Sequence, residues 1–224
     1  MSKLNIWTGR LEVDEGGVPI KENLMPQYVI PGLEAYPTKV RDSQWAGDPK
    51  PYIEYPIRKR YMHSSIEAHY LYTRPRVLGD GNYANLGVFK GFSTACFAYG
   101  LKEIKAKGKV YGVDLYNFIP LEEIAGYFTD LKIDKYLEIC KGYTQDWPEK
   151  LQDKKFKFIF IDADHNYDSC KRDFELWHPL LEDEGQIAFH DVNLSTVAKV
   201  VNEIEQEWEL VDHYAKIKSF KRRK

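Results

Sequence analysis

The chain has 224 residues, a formal net charge of -2 at pH 7 and a hydrophobic fraction of 43%. That charge balance gives no electrostatic reason to expect nucleic-acid binding, and the length suits one domain with an extension. Cys96, Cys140 and Cys170 form no C-x-x-C pair and, being odd in number, no disulfide framework. A reducing cytoplasm is the expected setting. No run of membrane-span length and no apolar leader are visible, so a soluble protein with no membrane partner is expected.

Residues 1–62 are dense in proline, with Pro19, Pro26, Pro31, Pro37, Pro49, Pro51 and Pro56 beside Gly16-Gly17. Proline at this density breaks helices and central strands. Trp7, Tyr28, Ile30, Trp45 and Tyr52 argue against full disorder, so the segment reads as an arm covering the main domain or a neighbouring subunit. A substrate lid is the sharper alternative. The main domain is expected over 63–224.

His63-Ser64-Ser65 opens a helix, capped by Ser64 or Ser65, that Arg74-Pro75 ends. From there apolar strand runs alternate with helical patterns. A strand ending at Leu86 leads through Gly87 and Gly91 into a helix from Ser93 to about Ala106, with Ser93 or Thr94 as its cap. Val110–Asp114 is the next strand, Leu121 to about Leu131 a helix, Tyr136–Lys141 a strand and Trp147–Leu151 a short helix. Phe156–Ile161 reads as the most buried strand. Tyr167–Leu181 reads as an amphipathic helix with Cys170, Phe174, Trp177 and Leu181 on one face. Gly185–Phe189 is a strand, and Ser195 caps a helix to about Glu207. Trp208–Lys224 reads as two strands joined near Lys216, and its basic end as a solvated edge. The alternation implies an α/β fold: a doubly wound, mostly parallel Rossmann-like sheet with an antiparallel C-terminal strand.

In such sheets ligands bind beyond the carboxyl ends of the strands. Gly87, Asp114, Thr144, Asp162 and Asp191 fall there. Asp114 can accept hydrogen bonds from a ribose diol, or else serve only a helix N-terminus. Phe160-Ile161-Asp162-Ala163-Asp164-His165 places two carboxylates and an imidazole after one strand, and His190-Asp191 follows the next. Asp162 and Asp191, with His190 or Asp164, form a candidate set for a hard divalent cation. His165 is the candidate general base. His69, His178 and His213 have no acidic partner at ligand spacing and read as structural.

These residues together resemble class I S-adenosylmethionine-dependent methyltransferases over about residues 63–224. The nearer likeness is to the small-molecule O-methyltransferases acting on catechols and macrolide sugars. Asn85-Leu86-Gly87-Val88-Phe89-Lys90-Gly91-Phe92-Ser93 resembles the family's turn around the methionine portion, with Asn85 where the family usually has an acid. Gly112-Val113-Asp114 resembles its ribose-binding strand end. Gly142-Tyr143-Thr144-Gln145-Asp146 resembles its adenine segment. The resemblance implies cofactor binding by Asn85, Gly87, Phe89, Gly91, Ser93, Asp114, Leu115, Thr144, Gln145 and Asp162. It implies catalysis by His165 and Asp162, and a metal, Mg²⁺ or another divalent cation, at Asp162, His190 and Asp191. In the catechol branch the last ligand pair falls on Asp191 and Val192, and valine cannot ligate. The macrolide-sugar branch has an acidic pair at His190 and Asp191.

The expected activity is methyl transfer to a hydroxyl of a small molecule or sugar. The expected partners are that acceptor and, through the arm, a second copy of the chain. A nicotinamide-dependent oxidoreductase is the alternative that the strand, glycine-turn and acid order also permits, although G-x-G-x-x-G and a Tyr-x-x-x-Lys pair are missing. A non-catalytic cofactor-binding module is the third reading, motivated by Asn85 and His190.

Overall fold

In the computed structural model of the protein, residues 65–223 are described. The arm at 1–62, with His63 and Ser64, lies outside the described residues. The described elements begin with α1 (Ser65–Leu78), β1 (Asn82–Leu86), α2 (Phe92–Glu103), β2 (Val110–Asp114), α3 (Leu121–Asp130) and β3 (Leu137–Lys141). They continue with α4 (Trp147–Lys150), β4 (Phe156–Ile161), α5 (Tyr167–Trp177), β5 (Leu181–Phe189), α6 (Ser195–Ile204), β6 (Trp208–Tyr214) and β7 (Ile217–Arg222). The strands form one seven-stranded sheet in the order β3-β2-β1-β4-β5-β7-β6. The first five are parallel, and the β6–β7 hairpin joins β5 antiparallel.

The central strands are apolar on both faces because helices cover both. Along β4 the side chains alternate: Phe158 and Phe160 enter a core with α1 and α2, while Ile159 and Ile161 enter a second core with Trp177 and Val197. The chain turns from β1 to β2 on one side and reaches β4 on the other. A crevice therefore opens at the carboxyl ends of β1 and β4, where such sheets receive ligands.

Four local expectations are corrected. Helix α1 does not stop at Arg74-Pro75 but runs to Leu78 with Pro75 inside it. Proline there forfeits one helical hydrogen bond and crowds the Leu71 carbonyl, a cost offset where fully buried Leu71 and Tyr70 pack in the core. Leu181 is not on the face of α5; that helix ends at Trp177, a 3-10 turn over His178–Leu180 contains Pro179, and Leu181 pairs with Phe156 as β5 starts. Ser195 is the first residue of α6, not its cap; Leu194 holds the cap position, and its carbonyl accepts from the Ala198 N–H at 2.8 Å. Helix α2 begins at Phe92 with Gly91 as N-cap, so neither Ser93 nor Thr94 caps it.

Candidate active site

The turn after β1 is built on two left-handed glycines, Gly87 at φ 90° and Gly91 at φ 83°. An ideal Cβ on Gly87 would lie 2.1 Å from the Asp162 carbonyl oxygen, so only glycine lets this turn approach the end of β4. A Cβ on Gly91 would meet Phe128 at 2.9 Å. Between them Phe89 adopts φ 48°, an uncommon conformation for a bulky residue. Asp114 stabilises it: Oδ2 accepts from the Val88 and Phe89 N–H groups at 2.8 and 2.9 Å, and Oδ1 from the Tyr116 N–H at 2.7 Å. A carboxylate offers about four acceptor positions. Asp114 thus spends most of its capacity shaping the turn, and about one position remains for a ribose hydroxyl.

Asn85 is fully buried. Its Nδ2 donates to Thr94 Oγ1 at 2.7 Å and Ser93 Oγ at 3.0 Å, tying β1 to the first turn of α2. Those bonds engage the two hydroxyls with Asn85. Asn85 Oδ1 is buried without a hydrogen-bond partner among the described residues. An unsatisfied buried acceptor is costly, and a donor such as an ammonium group would relieve it. The residues of this turn therefore fit a cofactor with a cationic amine.

After β3, Thr144 Oγ1 donates to Asp173 Oδ1 at 2.6 Å, and Gln145 Nε2 lies 3.5 Å from the same oxygen. Trp177 Nε1 donates to the Thr144 carbonyl at 2.9 Å. Asp173 is a site residue that sequence reasoning missed. The signal was available: Asp173 stands at helical spacing between Cys170 and Trp177, inside the apolar stripe of α5. Burial raises its pKa to about 6, against the hydrogen bonds from Thr144 and Gln145. Leu115 and Phe89 are half-buried beside the turn, and Phe89 meets the exposed ring of Phe118 edge-on at 5.6 Å.

The ends of β4 and β5 bring Asp162, His165, His190 and Asp191 together. His165 Nε2 lies 3.7 Å from Asp162 Oδ1 and 3.4 Å from Asp191 Oδ2. His190 Nδ1 lies 3.1 Å from Asp162 Oδ1 and 3.3 Å from Asp191 Oδ2. The His190 side chain is 1% exposed, and its Nε2 faces Glu67 Oε1 of α1 at 3.5 Å. Burial would lower the His190 pKa, but Asp162, Asp191 and Glu67 outweigh it and hold it well above the ordinary value. The Asp162 hydrogen bond likewise raises the His165 pKa against burial. Lys216 Nζ approaches Asp191 Oδ1 at 3.3 Å, and the Glu67 carboxylate accepts from the Lys216 N–H at 3.2 Å. Glu67 was not foreseen, because α1 is remote in sequence from both strand ends. Asp164 does not join the cluster; its Oδ1 accepts from the Asn166 backbone and side chain.

One atom each from Asp162, His165 and Asp191 lies within 4.8 Å of the others, a grouping that suits a divalent ion. His165 Nε2 is buried between the two carboxylates at 3.7 and 3.4 Å, long for hydrogen bonds, where it could turn to a cation or an acceptor hydroxyl. His190, expected as the third ligand, stands behind the two aspartates with both nitrogens directed at carboxylates. The donor set fits a cation through Asp162 and Asp191, with an imidazole as the third group.

A family described as a methyltransferase domain matches residues 84–192. Among curated proteins nothing matches. The SAH-bound methyltransferase of Podospora anserina is 14% identical over 73% of this chain and 80% of its own, with a TM-score of 0.58. The O-methyltransferase of Bacillus cereus in complex with SAH is 16% identical over 73% and 84%, with a TM-score of 0.58. The O-methyltransferase TomG of Streptomyces achromogenes in complex with SAM is 14% identical over 72% and 82%, with a TM-score of 0.59. At these identities the likeness is one of fold. Residues 84–192 thus match a methyltransferase-domain family, and the described residues share the Rossmann-like fold of these methyltransferase structures.

Proposed function

We propose that this protein transfers a methyl group from S-adenosylmethionine to a hydroxyl of a small molecule or sugar, with a divalent cation assisting. The observation that carries the reading is the contact between Gly87 and Asp162, which sets the cofactor turn against the Asp162–His165–Asp191 cluster. Neighbours of the same fold that are O-methyltransferases and carry SAM or SAH support it.

When bound, S-adenosylmethionine supplies an electrophilic sulfonium methyl, so the protein's task is alignment and deprotonation. Asn85 Oδ1 and the Gly87–Gly91 turn receive the methionine end, Asp114 a ribose hydroxyl, and Thr144 and Gln145 the adenine. Asp162 and Asp191, with His190 or His165 completing the set, would hold the cation, which would lower the pKa of a bound hydroxyl. His165 Nε2 takes the hydroxyl proton when it is not a ligand. Calorimetric titration with S-adenosylmethionine, S-adenosylhomocysteine and NAD, followed by turnover on sugar and phenol panels with and without Mg²⁺ or Mn²⁺, tests the reading. Binding of NAD alone would sink it.

A non-catalytic cofactor-binding module is the second reading. It is favoured by His190, whose ring faces three carboxylates where a metal ligand was expected. Tight cofactor binding without turnover on any acceptor would select it.

A further inference from the structure

We infer that Asp173 sets the base specificity of the cofactor site, by fixing Thr144 as a hydrogen-bond acceptor toward the 6-amino group of adenine. This rests on the reading above in which Thr144 and Gln145 face the adenine. Asp173 is 0% exposed and lies on α5, away from the strand-end cluster. An ionised carboxylate can only accept, so the 2.6 Å contact must consume the Thr144 hydroxyl hydrogen. That length is in the range of charge-assisted O–H···O⁻ bonds.

A hydroxyl has one hydrogen. With it committed to Asp173, Thr144 has only lone pairs for anything else it meets. Gln145 Nε2 turns toward the same oxygen at a longer 3.5 Å and so directs part of its donor capacity the same way. The main chain of Thr144 is held from the same helix face, one turn on, by the Trp177 indole N–H at 2.9 Å. Thr144 is therefore fixed both in place and in hydrogen-bond polarity. A lone pair at this point attracts the exocyclic amine of adenine and repels the 6-oxo group of hypoxanthine or guanine.

A plain structural strut would not require an acid. Asp173 Oδ2 is buried with no hydrogen-bond partner among the described residues, a costly arrangement. Asparagine could brace Thr144 equally well, but its amide could turn Nδ2 toward Thr144 and free the hydroxyl to donate outward. Only a group that cannot donate enforces one polarity.

The test is calorimetric binding of S-adenosylhomocysteine and S-inosylhomocysteine at about pH 8 to the wild type, D173N, T144S and T144V. The wild type and T144S should prefer the adenosyl ligand by about tenfold or more. D173N should reduce the preference to within about threefold, and T144V should remove it with Asp173 intact. A preference that survives in D173N overturns the inference, and so does one that survives in T144V should D173N fail to fold. A wild type that binds no S-adenosylhomocysteine overturns the cofactor reading itself. A wild type that binds both ligands equally overturns only the assignment to Asp173.

Discussion

The backbone of Gly87 sits against the carbonyl of Asp162 so closely that a single added carbon would lie 2.1 Å from that oxygen. The glycine turn after β1 and the strand end bearing the acids are consequently one packed unit. Displacing either moves the other.

Gly87→Ala should therefore damage both functions. Holding a non-glycine residue at φ 90° costs about 1–3 kcal/mol before the clash is counted. We expect a destabilisation of about 2 kcal/mol or more, seen in urea denaturation, together with weaker S-adenosylhomocysteine binding. Unchanged affinity and stability would show that the turn relaxes freely.

Asn85→Asp introduces the acid usual at this turn in the methyltransferases the chain resembles, at the cost of burying a charge. Asn85 is fully enclosed and now donates to Ser93 and Thr94; an aspartate would have to accept from both hydroxyls instead. The free protein should melt lower, and on the proposed reading, in which the carboxylate would face the ligand's ammonium, the rise in melting temperature on adding S-adenosylmethionine should be larger than in the wild type. Melting curves with and without cofactor decide it. A smaller ligand-induced rise would place the ammonium elsewhere.

His165→Ala should lower kcat by about 10²–10⁴-fold and leave cofactor affinity within about threefold. The imidazole touches the carboxylates of Asp162 and Asp191, not the glycine turn. Full turnover by this variant would remove His165 from the chemistry.

Asp173 makes stability depend on pH. Its pKa rises from 3.8 to about 6, chiefly through burial, with Asp164 adding to the rise. A raised folded pKa means the contribution is fully present below 3.8 and is lost as pH climbs through about 6. The gap converts to about 3 kcal/mol at most. Urea midpoints of the wild type and D173N at about pH 4 and about pH 7.5 should converge differently: the wild type should lose ground relative to D173N as pH rises. Parallel curves would mean the carboxyl ionises normally.

Much of this architecture can be read from the residues alone. The apolar run Phe156–Ile161, the Gly87–Gly91 spacing and the acids Asp114, Asp162 and Asp191 mark strand ends through local chemistry, and the sheet places them along one edge. What local chemistry cannot supply is reach from a distant element. Glu67 comes from α1 to meet His190, and Asp173 from α5 to meet Thr144; neither partner is near in sequence. Ser93 and Thr94 have the residue types of caps, yet their hydroxyls bond to the tertiary partner Asn85. Pro75 shows the converse, a local breaker overridden by a helix packed into the core.

The β6–β7 hairpin has a further consequence, in the order of events during synthesis. Lys216 at its tip contacts Asp191 through its ammonium and Glu67 through its amide. Glu67 belongs to the first described helix and Lys216 to the last described turn, so the Asp162–Asp191 cluster is bracketed by nearly the whole described chain. A nascent polypeptide in which the β6–β7 hairpin has yet to form has every acid in hand but no tip to seat them. Competence should appear only after the hairpin has emerged and docked on β5, making activity a readout of finished folding.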